Sequence, residues 1–176
     1  RQVVGTITVG DEPHGLLTDR SGQLLYVINT STDDLSVVDT TTLKEVRRLS
    51  TSRYPWSLAL SPDGSRLLVT NALSRFVPFR QPSVSEITVI DARSGRIADR
   101  LAVPQANLLQ GIAWHPSGEF AFFTLNRTKN LVPMTRILQG WTITNGLGIV
   151  WVDGQIDQVL LDENDRYFAD ASDVVF

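Results

Sequence analysis

The chain has 176 residues, 42% of them hydrophobic, and its 16 basic and 19 acidic residues give a net charge of −3. This composition is ordinary for a folded domain, and the balanced charge indicates no general attraction to nucleic acid or to a membrane surface. There is no cysteine, which excludes disulfides, thiolate metal ligands and covalent attachment of haem c within the chain. No apolar run approaches the roughly 18 residues of a membrane-spanning helix.

A strand–turn–strand unit recurs three times along the chain. Its copies are Gly15–Asn29, Ser57–Asn71 and Gly111–Asn126. The turn glycines Gly22 and Gly64 are 42 residues apart, a spacing typical of four-stranded propeller blades. Gly64 and Gly118 are 54 residues apart, so the second interval predicts an insertion of about 12 residues.

Each repeat predicts four strands, labelled a to d from the propeller axis outward. Strand a is predicted at 15–18, 57–60 and 111–114, strand b at 24–28, 67–70 and 120–125, strand c at 35–38, 87–90 and 149–152, and strand d at 46–49, 97–103 and 158–161. The three blades therefore cover about 15–49, 57–103 and 111–161. Several strands are continuously apolar, which is typical of sheets buried on both faces. An aspartate ends each strand c, where its carboxylate can accept backbone N–H bonds from the next turn; these are Asp39, Asp91 and Asp153.

The two ends of the chain predict one further strand each. Residues 3–9 predict a strand d that precedes the first blade, and 173–176 predict the strand a of a following blade. Three blades and two extra strands cannot close a ring, because propellers close with about four to eight blades. We therefore expect an all-β partial propeller, part of a seven- or eight-bladed ring that the rest of its chain or another chain completes. The alternative is a short open stack of blades.

The repeats resemble the YVTN family of β-propellers. The signature is present as Tyr26-Val27-Ile28-Asn29 and Leu68-Val69-Thr70-Asn71, with Val37-Val38-Asp39 and Val89-Ile90-Asp91 at the strand c position. The resemblance covers essentially the whole chain. It implies the fold but no single activity, since propellers of this kind serve as scaffolds, binding modules and haem-enzyme domains.

A narrower resemblance involves the segments 126–130, 135–136 and 140–145. They are similar to an insertion in bacterial YVTN propellers that are fused to di-haem cytochrome c peroxidase-like domains. This resemblance implies an exported, redox-active protein. The haem-binding Cys-X-X-Cys-His motif is absent from the sequence, so a haem c would lie on another domain or on a partner.

Two long insertions fall between strands b and c, at about 72–86 and 127–148. Because strands alternate in direction, the b–c and d–a connections lie on one face of a propeller. That face is expected to gather aromatic and basic side chains, which are enriched where partners dock. The residues are His14, Tyr54, Trp56, Arg75, Phe76, Arg80, Arg127, Lys129, Arg136 and Trp141. The alternative is a solvated rim whose aromatic side chains only cover their own loops.

The two histidines have different interpretations. His115 replaces Ser61 in the a–b turn of its repeat and is interpreted as a turn residue. His14 lies just before strand a, and the family resemblance makes it the one candidate for an axial haem ligand. The alternative for His14 is a hydrogen-bonded residue of the d–a connection. Two distant histidines predict no metal cluster.

The last d–a connection, 162–173, is acidic. It carries Asp162, Glu163, Asp165, Asp170 and Asp173 against Arg166 alone. It should lie on the same face as the basic insertions, so mutual ion pairing is expected, at about 0–1 kcal/mol per surface pair. A calcium site is the alternative, although the loop lacks the glycine and terminal glutamate of a twelve-residue calcium loop.

The sequence contains no recognisable catalytic motif. The leading interpretation is a binding or scaffold propeller of a bacterial protein that is periplasmic or otherwise exported. It would dock a partner protein, a redox domain or an anionic ligand on the insertion-bearing face, with no cofactor of its own. The alternative is a propeller domain or subunit of a c-type haem oxidoreductase, with haem c on another domain or partner.

Overall fold

The structure is a computed structural model that describes residues 2–128, 143–162 and 171–176. Its described part contains twelve strands, arranged as three four-stranded antiparallel sheets. The first sheet contains β1 (Pro13–Thr18), β2 (Leu24–Asn29), β3 (Asp34–Asp39) and β4 (Lys44–Ser50). The second contains β5 (Pro55–Leu60), β6 (Arg66–Asn71), β7 (Val84–Asp91) and β8 (Arg96–Pro104). The third contains β9 (Ile112–Trp114), β10 (Phe120–Thr128), β11 (Ile143–Trp151) and β12 (Ile156–Leu160).

Strand order in each sheet follows the chain, so each sheet is a meander of the kind that forms a propeller blade. The inner strands β1, β5 and β9 lie next to one another from sheet to sheet. This arrangement confirms the predicted all-β propeller fold of four-stranded blades. The number of blades in a complete ring stays a prediction. The described residues include no helix long and apolar enough to cross a bilayer.

Short a–b turns join the first two strands of every blade. In the second blade the Gly64 N–H donates to the Ser61 carbonyl at 2.8 Å, and Gly64 has a φ of 72°. Glycine suits this position because other L-residues are strained at positive φ. The Ser61 hydroxyl accepts from the Arg66 N–H at 2.9 Å and donates to Asp63 at 2.6 Å. These hydrogen bonds explain why a Ser-Pro-Asp-Gly sequence marks the turn.

The core lies between the blades. Tyr26, Ile28 and Leu35 of the first blade contact Leu67 and Ile90 of the second in one buried cluster. A second cluster joins the second blade to the third, with Phe123 fully buried in it; its members include Leu68, Ile87, Val89, Val103, Ala121, Leu125 and Val150. The continuously apolar strands are therefore explained by blades that bury one another's faces.

Aspartates at the c–d turns act as predicted. Asp39 accepts hydrogen bonds from the backbone N–H groups of Thr41 and Thr42, at 2.8 and 2.7 Å. Asp91 makes the corresponding pair of bonds to the next turn, at 2.9 and 2.8 Å. Asp153 lies two residues beyond the end of β11 and accepts one bond, from the Gln155 N–H at 2.9 Å.

The third blade differs from the predicted strand limits. The sequence placed an insertion at about 127–148, but β10 continues to Thr128 and β11 begins at Ile143. The antiparallel ladder continues through the pairs Asn126–Asn145 and Arg127–Thr144. Arg127 is therefore a strand residue, because each added pair supplies ladder hydrogen bonds that an irregular loop would lack.

The two terminal segments do not form regular strands in the structure. A strand requires a hydrogen-bonded neighbour, and no described strand pairs with 3–9 or 173–176. Ile7 and Val9 instead line a cavity with side chains of the first sheet, and Phe176 stacks on Phe122 of the third at 5.1 Å between ring centroids. Both segments therefore lie against outer sheet faces.

Candidate docking face

One end of the three sheets carries the b–c connections 30–33 and 72–83 and the d–a connections 51–54 and 105–111. We call this end the loop face. It follows from strand alternation, since both kinds of connection join strands at the same end of an antiparallel meander. The second b–c connection, 72–83, is longer than the first, 30–33.

His14 and Trp56 occupy corresponding positions in successive blades. Each follows a proline, Pro13 or Pro55, and each lies where the register of the inner strand shifts at a β-bulge. A bulge re-aims a side chain out of the regular alternation. The two rings lie with centroids 4.1 Å apart and planes tilted by 45°.

Tyr54 extends this pair into an aromatic group of three. Its ring lies 6.2 Å from that of Trp56 in a stacked orientation. The Tyr54 backbone is held by a hydrogen bond from its N–H to Asp33, at 2.6 Å, which ties the first b–c connection to the next d–a connection. Tyr54 has a φ of 57°. Glu12 and Leu108, at the corresponding positions of the first and third blades, have positive φ as well, so this conformation belongs to the scaffold.

The connection 72–83 is closed at its base by backbone hydrogen bonds. The Arg75 N–H donates to the Val84 carbonyl at 2.9 Å, and the Leu73 N–H donates to the Arg53 carbonyl at 3.3 Å. Between these contacts the loop exposes Phe76, which is 87% accessible to solvent. The Arg53 guanidinium lies 4.1 Å from the centroid of that ring.

A tight turn at Pro78–Gln81 forms the tip of the same loop. The Gln81 N–H donates to the Pro78 carbonyl at 3.0 Å, and Arg80 adopts a φ of 64°. Phe79 is 89% accessible, and the Arg80 guanidinium lies 5.4 Å from its ring centroid. The proline and the turn hydrogen bond restrict the backbone, so the exposed ring is presented in a defined position.

The predicted basic residues have separate environments. The Arg75 guanidinium lies 3.9 Å from the Glu86 carboxylate, within its own blade. Arg127 is half-buried in β10. Arg80 is exposed at the loop tip. Of the remaining predicted residues, Lys129, Arg136 and Trp141 lie outside the described part of the chain, as do Glu163, Asp165, Arg166 and Asp170 of the acidic connection.

The structure therefore brings His14, Tyr54 and Trp56 together and places Arg75 and Arg80 on one neighbouring loop. Sequence reasoning missed Arg53 and Phe79. Phe79 carried a signal, since no alternating strand pattern explains an aromatic residue between Pro78 and Arg80 in this insertion. Arg53 carried none, because only the fold places it over Phe76.

Neither histidine belongs to a metal-binding cluster within the described residues. His115 lies in the a–b turn of the third blade, where its Nδ1 atom is 2.8 Å from the Ser117 hydroxyl and its ring stacks on Phe120 at 4.6 Å. His14 is exposed, with its ring beside Trp56. Its role as a haem ligand stays a prediction.

The chain is similar to known β-propellers. The model of the YNCE-like beta-propeller family matches residues 16–101. Hydrazine synthase subunit beta of Kuenenia stuttgartiensis is 27% identical over 140 residues, which are 76% of this chain and 34% of that protein. The chain thus spans about a third of the length of this curated relative.

Solved structures give the same fold. The structure of Kuenenia stuttgartiensis hydrazine synthase matches with a TM-score of 0.81 and 25% identity, over 93% of this chain and 46% of that one. The Cps50 (Swd1) β-propeller domain of Myceliophteria thermophila matches with a TM-score of 0.61 and 16% identity, over 92% of this chain and 42% of that one. At that identity the second match shows the fold alone. The repeat, the blade topology and these matches together identify the chain as a β-propeller, and its repeats are consistent with the YVTN type.

Proposed function

We propose that this chain is part of a binding or scaffold propeller that docks a protein partner through its loop face. The observation that carries the proposal is the connection 72–83, which presents aromatic and arginine side chains to solvent on a rigid base of sheets. Exposed loops on rigid scaffolds are common binding elements. The similarity to a protein named as a subunit of hydrazine synthase supports a place in an assembly of several chains.

The test is native mass spectrometry of the full-length protein, purified under mild conditions from its own cells. We expect a complex in which this protein and a different chain occur at a fixed ratio. A mass that corresponds to this protein alone, at every concentration measured, would contradict the proposal. We also propose that the protein is exported. Fractionation of the same cells tests this proposal and should recover the protein together with periplasmic markers.

A second candidate is a propeller domain or subunit of a c-type haem oxidoreductase. The relative from Kuenenia stuttgartiensis is named as an enzyme subunit, which favours an enzyme assembly over a free-standing binding protein. Since this chain has no cysteine, haem c would be attached to another domain or to the partner. The purified assembly should then show a Soret absorption band. A colourless assembly, from genes that encode no Cys-X-X-Cys-His motif, would reject this candidate.

A further inference from the structure

The tip of the connection 72–83 presents two phenylalanine rings to water. Phe76 and Phe79 are three residues apart and are 87% and 89% accessible. Neither ring belongs to the described core clusters between the blades. Two exposed phenylalanines on one loop form an apolar projection of the kind that marks interaction sites. Stability of the blades does not require them, so their exposure needs another explanation.

The loop that carries these rings is anchored on both sides. The Arg75 N–H donates to the Val84 carbonyl at 2.9 Å, and the Ser83 hydroxyl lies 3.2 Å from the Thr128 hydroxyl of the next blade. The turn at Pro78–Gln81 holds the tip. A preorganised loop loses less conformational entropy when it binds, so more of the contact energy appears as affinity.

Each ring is accompanied by a guanidinium group. The Arg53 Cζ atom lies 4.1 Å from the Phe76 ring centroid, and the Arg80 Cζ atom lies 5.4 Å from that of Phe79. Within the described residues, neither arginine forms an ion pair, whereas Arg75 lies 3.9 Å from Glu86. The projection therefore combines two apolar rings with two positive charges that have no carboxylate neighbour in the described part of the chain.

We propose that Phe76 and Phe79 are the anchors of a protein–protein contact, each entering an apolar pocket whose rim carries an Asp or Glu carboxylate. The inference rests on the proposed function and names the surface chemistry of the partner. Phenylalanine burial supplies apolar contact, and a carboxylate at the rim pairs with Arg53 or Arg80. Arginine beside an aromatic ring is a frequent composition of the few residues that dominate binding energy.

A lipid surface fits this geometry less well. The Arg53 guanidinium lies over the Phe76 ring, so insertion of that ring into a hydrocarbon layer would take the charge to the same depth. A charged group inside a bilayer is costly because no polar partner is available there. A protein pocket can place a carboxylate at that depth and satisfy the charge.

The experiment uses the full-length protein and the companion chain isolated with it. The companion is separated, and its binding to wild-type and variant protein is measured by calorimetric titration. F76A and F79A should each raise the Kd at least about 10-fold, as expected for residues central to an interface. Val46→Ala, which truncates an exposed side chain of β4, is the matched control and should leave the Kd unchanged.

A second measurement tests the contribution of Arg80 to binding of the companion chain. Arg80→Gln should raise the Kd severalfold and reduce its dependence on salt concentration, because one ion pair with the partner is lost. Arg96→Gln, an exposed arginine at the start of β8 on the opposite end of the sheet, is the control and should change neither quantity. The thermal midpoint of every variant should match that of the wild type.

Three results would overturn the inference. An unchanged Kd for the double variant F76A/F79A would reject the anchors while leaving the proposed function intact. Absence of any companion chain would reject both. Binding of the full-length protein to vesicles of phosphatidylglycerol and phosphatidylcholine that is lost in F76A/F79A would reassign the projection to a membrane surface.

Discussion

The asparagines that carry the family resemblance have structural roles. The Asn29 side-chain amide donates to Asp34 at 2.6 Å and to Ser36 at 2.8 Å, and it is fully buried. The Asn71 amide donates to the Glu86 carbonyl at 2.9 Å and to the Thr88 hydroxyl at 3.2 Å. Both residues hold the b–c hairpin of their blade. This explains why the signature identifies a fold and leaves the activity open.

The c–d turn aspartates make stability depend on pH. The backbone N–H of Thr42 holds the pKa of Asp39 below its usual value, and the N–H of Ser94 does so for Asp91. Because the pKa is lower in the folded state, each ionised carboxylate contributes to folding stability above the unfolded pKa of about 3.9. This contribution to stability is lost as the pH falls through the pKa of the folded state.

Replacement of these carboxyls by amides tests that contribution. In the double variant Asp39→Asn/Asp91→Asn, the thermal midpoint should fall less steeply than in the wild type as pH drops below about 4. Above that pH the variant should be the less stable protein. Thermal unfolding followed by circular dichroism at a series of pH values measures both slopes. Parallel curves would contradict the assignment.

Gly148 makes a close approach that no larger residue allows. It lies opposite Phe123 in the β10–β11 ladder, and a Cβ atom at position 148 would overlap the Phe123 ring, which is fully buried. Gly148→Ala should therefore cost about 1–3 kcal/mol of unfolding free energy through overpacking.

Two variants sharpen this prediction, each measured by chemical denaturation. Phe123→Leu combined with Gly148→Ala should cost less than the sum of the two single changes, because the smaller side chain relieves the overlap. Gly22→Ala, at a φ of 71° with open space around it, serves as a control that carries only the backbone strain, about 1 kcal/mol. Strictly additive costs in the double variant at positions 123 and 148 would contradict the overlap.

At the element scale, stability comes from contacts between blades. Ile28 on β2 is fully buried against Leu67 and Ile90 of the second blade. Hydrogen bonds between neighbouring blades add to this contact, since the Thr30 hydroxyl donates to the Pro55 carbonyl at 3.1 Å and the Thr70 hydroxyl to the Gln110 carbonyl at 2.5 Å. Each blade therefore depends on its neighbour for a buried face.

A truncation at the first blade interface tests that dependence. Ile28→Ala should lower the unfolding free energy by about 2–5 kcal/mol, because it leaves a cavity between two sheets that cannot easily collapse. Val46→Ala, on the exposed outer strand of the same blade, should stay within about 0.5 kcal/mol of the wild type. Urea unfolding measures both, and similar losses would show that the core does not lie between the blades.

At the scale of the whole molecule, the residues that stabilise the fold are separate from those that we propose for docking. The buried clusters lie between sheets, whereas Phe76, Phe79 and Arg80 project from one loop. Changes on the loop should therefore alter binding without altering stability. This separation is expected when a binding loop is grafted on a rigid scaffold.

Charge reversal on the loop tests this separation. Arg80→Glu should slow association with the companion chain severalfold, most at low salt, and should change the unfolding free energy by no more than about 0.5 kcal/mol. Arg96→Glu reverses an equivalent exposed charge at the other end of the sheets and should leave the association rate unchanged. Stopped-flow association and thermal unfolding provide the two readouts. Equal slowing by both variants would indicate a general charge effect.

Much of the fold could be predicted because its signals are local. The turn sequence Ser61–Gly64, the apolar runs and the 42-residue spacing each lie within one repeat. The limits of β10 and β11 were less predictable, since their extension to Thr128 and from Ile143 depends on pairing across an insertion. Strands at 3–9 and 173–176 stay a prediction, because strand formation depends on a hydrogen-bonded neighbour and no described strand pairs with either segment.

The blade repeat, its turns and the face on which the long connections lie can be predicted from the sequence, because they follow from periodicity and from strand alternation. The contacts of His14 with Trp56 and of Arg53 with Phe76 become visible in the folded protein alone. Those contacts join residues from different blades or different loops. No spacing along the chain encodes them, because they arise when neighbouring sheets bury each other's faces and set the positions of the loops between their strands.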